Sequence, residues 1–229
     1  MDNNFEYYYN NVPGQGLCRN NLVYTSLISK DKKTLCKWFY NDTDYHKGKN
    51  VVDPALLEDK WNREVHFLTL MKESYPNLVP TFDVDLSERK IYLNIDGPDF
   101  WEQAGCLTEN YDNVLPDWRE QMLDIVNAHK SLGIYKYSMH PSSYFIIGGK
   151  LKSINYFFCY TDNDNAINIK SLLSHISDDR QRDLFLKMHY MGIDIDEPTS
   201  FTKIQMLAFE SFKTNFPEDF MEEAKKIYA

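Results

Sequence analysis

The first half of the chain consists of short apolar runs that pair around polar turns. Runs at 22–28 and 34–39 flank five polar residues, and runs at 78–84 and 90–95 flank a second polar turn at 86–89. Two β-prone runs around a short polar segment predict a β-hairpin. This part of the chain is therefore predicted to be rich in strands.

Helical patterns dominate the rest of the chain. Asp53-Pro54 supplies an N-cap and a first-turn proline for a helix that ends at about Ser74. One more hairpin is expected at Gly148-Gly149, because glycines suit a tight two-residue turn. Gly97-Pro98 is a break suited to a hinge, so we predict an α+β fold with a strand-rich and a helix-rich part. The other predicted helices lie at 118–132, 167–176, 179–191, 200–213 and 217–228.

Composition excludes several classes of function. A chain of 229 residues with a net charge of -9 can bury a sizeable core but lacks the positive surface that coats nucleic acid. No run approaches the ~18 apolar residues that span a bilayer, and the polar N-terminus is no signal peptide. Four scattered cysteines predict free thiols in a reducing cytoplasm. We therefore expect a cytoplasmic protein with no nucleic-acid, membrane or metal site.

A carboxylate lies within the apolar stripe of the first helix. Glu64 is in the middle of that stripe, and Lys37 lies in an apolar strand run upstream. A buried carboxylate needs a partner, so one interpretation is a Lys37–Glu64 ion pair. The other is that Glu64 is solvated at the edge of the stripe while Lys37 extends to the surface. The spacing leaves both open; the stripe consists of Leu57, Trp61, Leu68 and Met71.

The segment from Ile134 to Phe157 resembles the catalytic core of the protein-kinase superfamily. In that family a strand leads into H-R-D-x-x-x-x-N, and a hairpin then leads into D-F-G. The aligned positions here are Lys136-Tyr137-Ser138, Ser143 and Asn155-Tyr156-Phe157. Upstream, TLCKWF resembles the strand that carries the phosphate-binding lysine, and KIYLNIDGP resembles the fifth strand and hinge.

The resemblance covers about residues 16–160 in the family's order. It implies a two-lobed kinase-like fold, with an N-lobe at 1–97 and a helical, shortened C-lobe at 98–229. It also implies that Lys37 contacts the phosphates of ATP and that Glu64 holds this lysine. Gly16, the one matched glycine of the glycine-rich loop, and Asp96, in the hinge segment, complete the nucleotide-binding candidates.

The residues that carry phosphoryl transfer in the family are missing. Ser138 replaces the catalytic Asp, Ser143 the metal-binding Asn, and Asn155 the metal-binding Asp. Mg²⁺ prefers carboxylate oxygens, so the resemblance implies a pseudokinase, a binding or regulatory module that acts by binding a protein partner or a nucleotide. The alternative is an atypical, weakly active small-molecule kinase that uses ATP, with or without Mg²⁺, and in which His140 and Asp162 substitute for the lost groups.

A third interpretation is an α+β protein whose likeness to kinases is accidental. The absence of a Lys37–Glu64 pair from the structure would favour it.

Overall fold

The fold of the chain is given by a computed structural model, which describes residues 4–8, 24–39, 54–161, 205–206, 208–210 and 212–228. It is a mixed α+β fold built on an antiparallel sheet of five strands, in the order β1-β2-β3-β5-β4. Two smaller antiparallel pairs join β6 to β9 and β7 to β8. The strands are β1 (Phe5–Tyr7), β2 (Thr25–Ser29), β3 (Thr34–Trp38), β4 (Phe82–Asp85), β5 (Lys90–Asn94), β6 (Ile134–Lys136), β7 (Tyr144–Ile147), β8 (Lys150–Ser153) and β9 (Cys159–Thr161).

Helices lie between these strands in the chain and after the last of them. The helices are α1 (Pro54–Ser74), α2 (Phe100–Gln103), α3 (Tyr111–Val114), α4 (Trp118–Ser131) and α5 (Glu218–Tyr228). Residues 205–206 and 208–210 are also helical. Short 3₁₀ turns occur at Pro76–Leu78, Thr108–Asn110, Pro141–Ser143 and Lys213–Asn215.

Local turn chemistry explains the three predicted hairpins. Between β2 and β3, the side chain of Asp31 accepts the Lys33 backbone N–H. Between β4 and β5, Asp85 Oδ1 accepts the N–H groups of Ser87 and Glu88. Between β7 and β8, Gly148 and Gly149 adopt φ of 57° and 73°, the left-handed region that glycine enters at no steric cost. All three hairpins are confirmed.

The boundaries of some elements differ from the prediction. Strand β4 begins at Phe82 rather than at residue 78, because Pro76–Leu78 forms a 3₁₀ turn. Strand β8 ends at Ser153, before the bend that contains Asn155. Strand β1 and helices α2 and α3 were not predicted. The helices predicted at 167–176 and 179–191 lie outside the described residues.

One continuous hydrophobic core joins the sheet to the helices. On the sheet side, Phe39, directly after β3, packs edge-on against Trp61 of α1, with the ring centroids 5.4 Å apart. On the other side, α4 and α5 pack through aromatic rings, with the Trp118 and Phe220 centroids 5.0 Å apart. No helix in the described part of the chain is both long and apolar enough to cross a bilayer. Within the same residues, the thiols of Cys36, Cys106 and Cys159 are free.

The core contains a buried histidine on α4. His129 is 1 % exposed, and its Nε2 lies 3.1 Å from the Tyr156 hydroxyl. Burial lowers the pKa of His129 from 6.5 to about 3, because the imidazolium would lose its hydration. The folded chain therefore keeps this imidazole neutral at pH values at which the unfolded chain protonates it.

We expect this histidine to contribute to acid unfolding. Its contribution to stability is complete above pH 6.5, where the imidazole is neutral in both states. As the pH falls from 6.5 toward 3, only the unfolded chain binds the proton, so the free energy of unfolding decreases by up to ~1.4 kcal/mol per pH unit. His129→Gln, which retains a polar partner for Tyr156, should flatten the decline in the free energy of unfolding measured by urea titration. His66→Gln, at an exposed position on α1, is the control, and equal slopes in all three proteins would contradict the expectation.

Candidate functional site

The candidate site is centred on an ion pair between the sheet and α1. Lys37 Nζ on β3 lies 2.5 Å from Glu64 Oε1 on α1, and the two side chains are 1 % and 0 % exposed. Strand β3 lies between β2 and β5, and Lys37 is opposite Ser26 on one side and Ile91 on the other. Of the two interpretations that the spacing left open, the buried pair is therefore correct.

Asn155 connects this ion pair to the bend after β8. Its Oδ1 accepts hydrogen bonds from Lys37 Nζ at 3.0 Å and from the Tyr24 hydroxyl at 3.2 Å. Its Nδ2 donates to Ser143 Oγ at 2.9 Å. Its backbone has φ of 66°, a left-handed conformation that asparagine tolerates better than most residues. Two of the positions aligned with catalytic kinase residues, Ser143 and Asn155, thus bond to each other.

Aromatic rings surround the Lys37 ammonium. Nζ lies 4.3 Å from the centroid of the Tyr24 ring, 5.0 Å from that of Phe157 and 5.7 Å from that of Phe39. The faces of these rings carry negative charge density that stabilises a desolvated cation. Sequence reasoning missed Tyr24 and Phe39, because an aromatic residue in an apolar run carries no signal that separates a cation contact from ordinary core packing.

A second buried lysine supports the backbone of the site. Lys136 Nζ donates to the carbonyl oxygens of Ser138 at 2.5 Å and Asn155 at 2.9 Å. The rings of Tyr144 and Tyr156 lie 5.8 and 5.2 Å from the same nitrogen. Burial lowers the pKa of Lys136 to about 8, since its charged form has no hydration shell. Sequence reasoning missed this role of Lys136; the signal that could have found it is a lysine within an apolar strand run, the pattern noted for Lys37.

The remaining candidates that the structure describes, His140 and Asp96, lie at the start of a 3₁₀ turn and in the turn after β5. His140 Nδ1 accepts the Ser142 backbone N–H at 3.1 Å and lies 2.8 Å from Ser142 Oγ, so this nitrogen caps a 3₁₀ turn. Its ring packs edge-on against Trp101. Asp96 is exposed in the turn after β5. Gly16 and Asp162 lie outside the described residues.

The described residues do not fit a magnesium–nucleotide complex. Both ends of the Asn155 amide are engaged, the oxygen by Lys37 and Tyr24 and the nitrogen by Ser143. Mg²⁺ binds carboxylates in preference to neutral amides and hydroxyls. Within the part of the chain that the structure describes, no three His, Cys, Asp or Glu side chains are close enough to hold a metal ion.

Comparisons with known proteins leave the site to be interpreted from its own geometry. No protein-family model matches the chain, and no curated protein matches it. The contacts of Lys37, Glu64 and Asn155 are therefore the observations on which a function is proposed.

Replacing one partner of the Lys37–Glu64 pair should be far more destabilising than replacing both. Lys37→Met leaves a buried, unpaired carboxylate and should lower the free energy of unfolding by ~3–5 kcal/mol in urea denaturation. The double variant Lys37→Met/Glu64→Leu replaces both charges with apolar groups and should regain most of that loss. The control is Lys32→Met, in the turn of the β2–β3 hairpin that also carries Lys37. It removes an exposed ion pair with Glu6 and should change the free energy of unfolding by less than ~1 kcal/mol. A single variant as stable as the double variant would contradict the expectation.

The contribution of Lys136 to stability should increase with pH in alkaline solution. Its folded-state pKa of about 8 lies below the ordinary value of 10.5, so between these values the unfolded chain binds more protons at this group. The contribution is complete above pH 10.5 and is lost as the pH falls toward 8. Burial raises the pKa values of the Cys36 and Cys159 thiols, which lower stability over the same range, so the effect is read as a difference between proteins.

In urea titrations from pH 7.5 to 10.5, the free energy of unfolding of the wild type minus that of Lys136→Met should increase with pH. The same difference for Lys150→Met, at an exposed lysine on β8, should stay constant, and an equal pH dependence in the wild type and Lys136→Met would refute the assignment.

Proposed function

We propose that the chain is a pseudokinase: a two-lobed protein-kinase-like fold without phosphotransferase activity that acts in the cytoplasm by binding a protein partner. The observation that carries the proposal is Asn155. A neutral amide, bonded to Lys37 and Ser143, stands where the resemblance requires a metal-binding carboxylate.

The kinase-like part of the proposal is supported by the order of the elements around the site. A lysine on a sheet strand pairs with a glutamate on the following helix, and a hairpin and a turn at Gly97 come next. Helix α4 then leads to Lys136 and the hairpin before Asn155. The buried Lys37–Glu64 pair also counts against the interpretation that the likeness to kinases is accidental. A structure without this pair would have favoured that interpretation.

The loss of phosphoryl transfer follows from the chemistry of the aligned positions. Transfer needs a carboxylate that orients the nucleophile and ligands that hold Mg²⁺ against the phosphates. Ser138 offers a hydroxyl, and its carbonyl oxygen is bonded to Lys136. Ser143 is 2 % exposed and bonded to Asn155. The three substitutions therefore convert reactive groups into structural ones.

The alternative small-molecule kinase would need His140 as a general base. Its Nδ1 is occupied by Ser142 and its ring is packed between Trp101 and Phe212. Because Nδ1 accepts the Ser142 backbone N–H, the proton of the neutral ring is on Nε2, and Nε2 is then a donor rather than a base. These contacts favour the binding function over the enzyme.

The proposal is tested by measuring nucleotide-dependent stabilisation and phosphate transfer. We expect neither ATP, ADP nor GTP, with Mg²⁺ or Mn²⁺, to raise the melting temperature of the wild-type protein, and we expect no ATP hydrolysis. A ligand at a hundredfold excess over its dissociation constant would add ~2.7 kcal/mol of stability, which is readily detected.

The matched control is Lys37→Met/Glu64→Leu, which removes the phosphate-binding candidate without leaving a buried charge. A metal-dependent shift in the wild type that disappears in this variant, accompanied by turnover of ATP, would overturn the proposal in favour of the small-molecule kinase. Stabilisation of equal size in both proteins would indicate binding elsewhere and would leave the pseudokinase proposal standing.

A further inference from the structure

Two adjoining cavities form a groove along one face of α4. They have volumes of about 430 and 640 Å³, and both are lined by Asn77, Leu78 and Asp124. Helix α4 lines the groove from Gln121 to Ser131, a distance of ~15 Å at the rise of an α-helix. An extended chain rises ~3.3 Å per residue, so the groove is as long as ~4–5 residues of extended peptide.

The walls of this groove are joined to one another by hydrogen bonds. The Tyr75 hydroxyl lies 2.7 Å from Ser131 Oγ, and this contact ties the turn after α1 to α4. Lys152 Nζ on β8 donates to the carbonyl oxygen of Asn77 in the same turn. Gln121 on α4 accepts a backbone N–H of β8 at 2.8 Å. A groove that is already formed in the free protein costs less ordering on binding.

Asp124 gives the groove its available charge. Its carboxylate is exposed and lines both cavities, and among the described residues it has no ion pair and no side-chain hydrogen bond. The two lysines of the smaller cavity are engaged, because Lys150 pairs with Asp117 at 3.8 Å and Lys152 bonds to the Asn77 carbonyl. The charge that remains for a ligand is therefore negative.

The other lining side chains are apolar groups and carboxamides. Leu78 and Ala128 line the larger cavity with carbon, and Asn77 and Asn127 line it at exposed positions. A carboxamide carries a donor and an acceptor, as a peptide bond does, so these asparagines complement the backbone of an extended chain. The surroundings of Asp124 thus suit a basic side chain that is flanked by apolar ones.

We propose that this groove binds the protein partner, and that the partner presents an extended segment with an arginine or lysine between apolar side chains. The inference rests on the proposed function and deepens it, because it names the surface and the chemistry of the bound protein. The basic side chain pairs with Asp124, and its apolar neighbours cover Leu78 and Ala128.

The test starts from random heptapeptides displayed on phage and selected on the wild-type protein. We expect the enriched peptides to contain arginine or lysine beside apolar residues. The affinity of one enriched peptide, synthesised with a fluorescein label, is then measured by fluorescence polarisation. Asp124→Lys should weaken binding by about tenfold, because an attraction becomes a repulsion.

The matched control is Glu223→Lys, which makes the same change of charge at an exposed carboxylate on α5. It should change the affinity by less than about twofold, since salt screens distant charges. Asn127→Trp fills the larger cavity from an exposed position and should abolish binding. If circular dichroism shows that Asp124→Lys is unfolded, Asp124→Asn gives the same test, because it removes the charge and keeps the shape.

Three results would overturn the groove. They are enriched peptides without a basic residue, equal losses of affinity in Asp124→Lys and Glu223→Lys, and a wild-type dimer in sedimentation velocity that Asn127→Trp converts to a monomer. The dimer would mean that a second copy of the chain occupies the groove. Each of these results leaves the absence of phosphotransfer standing, whereas ATP turnover by the wild type overturns the pseudokinase proposal and leaves the peptide measurements unchanged.

Discussion

The buried ion pair between Lys37 and Glu64 is the interaction on which the rest of the structure depends. Removing two charges from water is unfavourable unless each is paired with the other. The pair fixes α1 against β3, and Asn155 adds a neutral acceptor for the same ammonium. The bend after β8 is thereby tied to the sheet, although the two are far apart in the chain.

Among the residues that the structure describes, three lysines are fully buried, and each is stabilised in a different way. Lys37 has a carboxylate, an amide and aromatic rings. Lys60 on α1 pairs with the partly exposed Asp59 and lies 4.7 Å from the Phe158 ring centroid. Lys136 is bonded to backbone carbonyls between two tyrosine rings. Aromatic side chains near each ammonium supply the electrostatic stabilisation that water would otherwise give.

The substitution of a carboxylate by Asn155 changes the character of the proposed kinase-like site. An aspartate there would lie close to two ammonium groups and present its remaining lone pairs to a metal. The amide instead donates to Ser143 through its nitrogen and accepts from Lys37 and Tyr24 through its oxygen. In the proposed pseudokinase, a site for a reactive ligand has thus become a hydrogen-bond network that holds the scaffold together.

The sequence by itself determined the hairpins, α1, α4 and α5, because turn residues and hydrophobic period act over a few neighbours. It also indicated Lys37 and Glu64, since charged residues on apolar faces are conspicuous. Only the tertiary structure decided that they pair, that the Tyr24 ring lies against the lysine ammonium and its hydroxyl bonds to Asn155, and that β6 pairs with β9. The ion pair joins residues 27 positions apart, and the bond between Tyr24 and Asn155 joins residues 131 positions apart. Packing of the whole core selects them, and no local pattern encodes that choice.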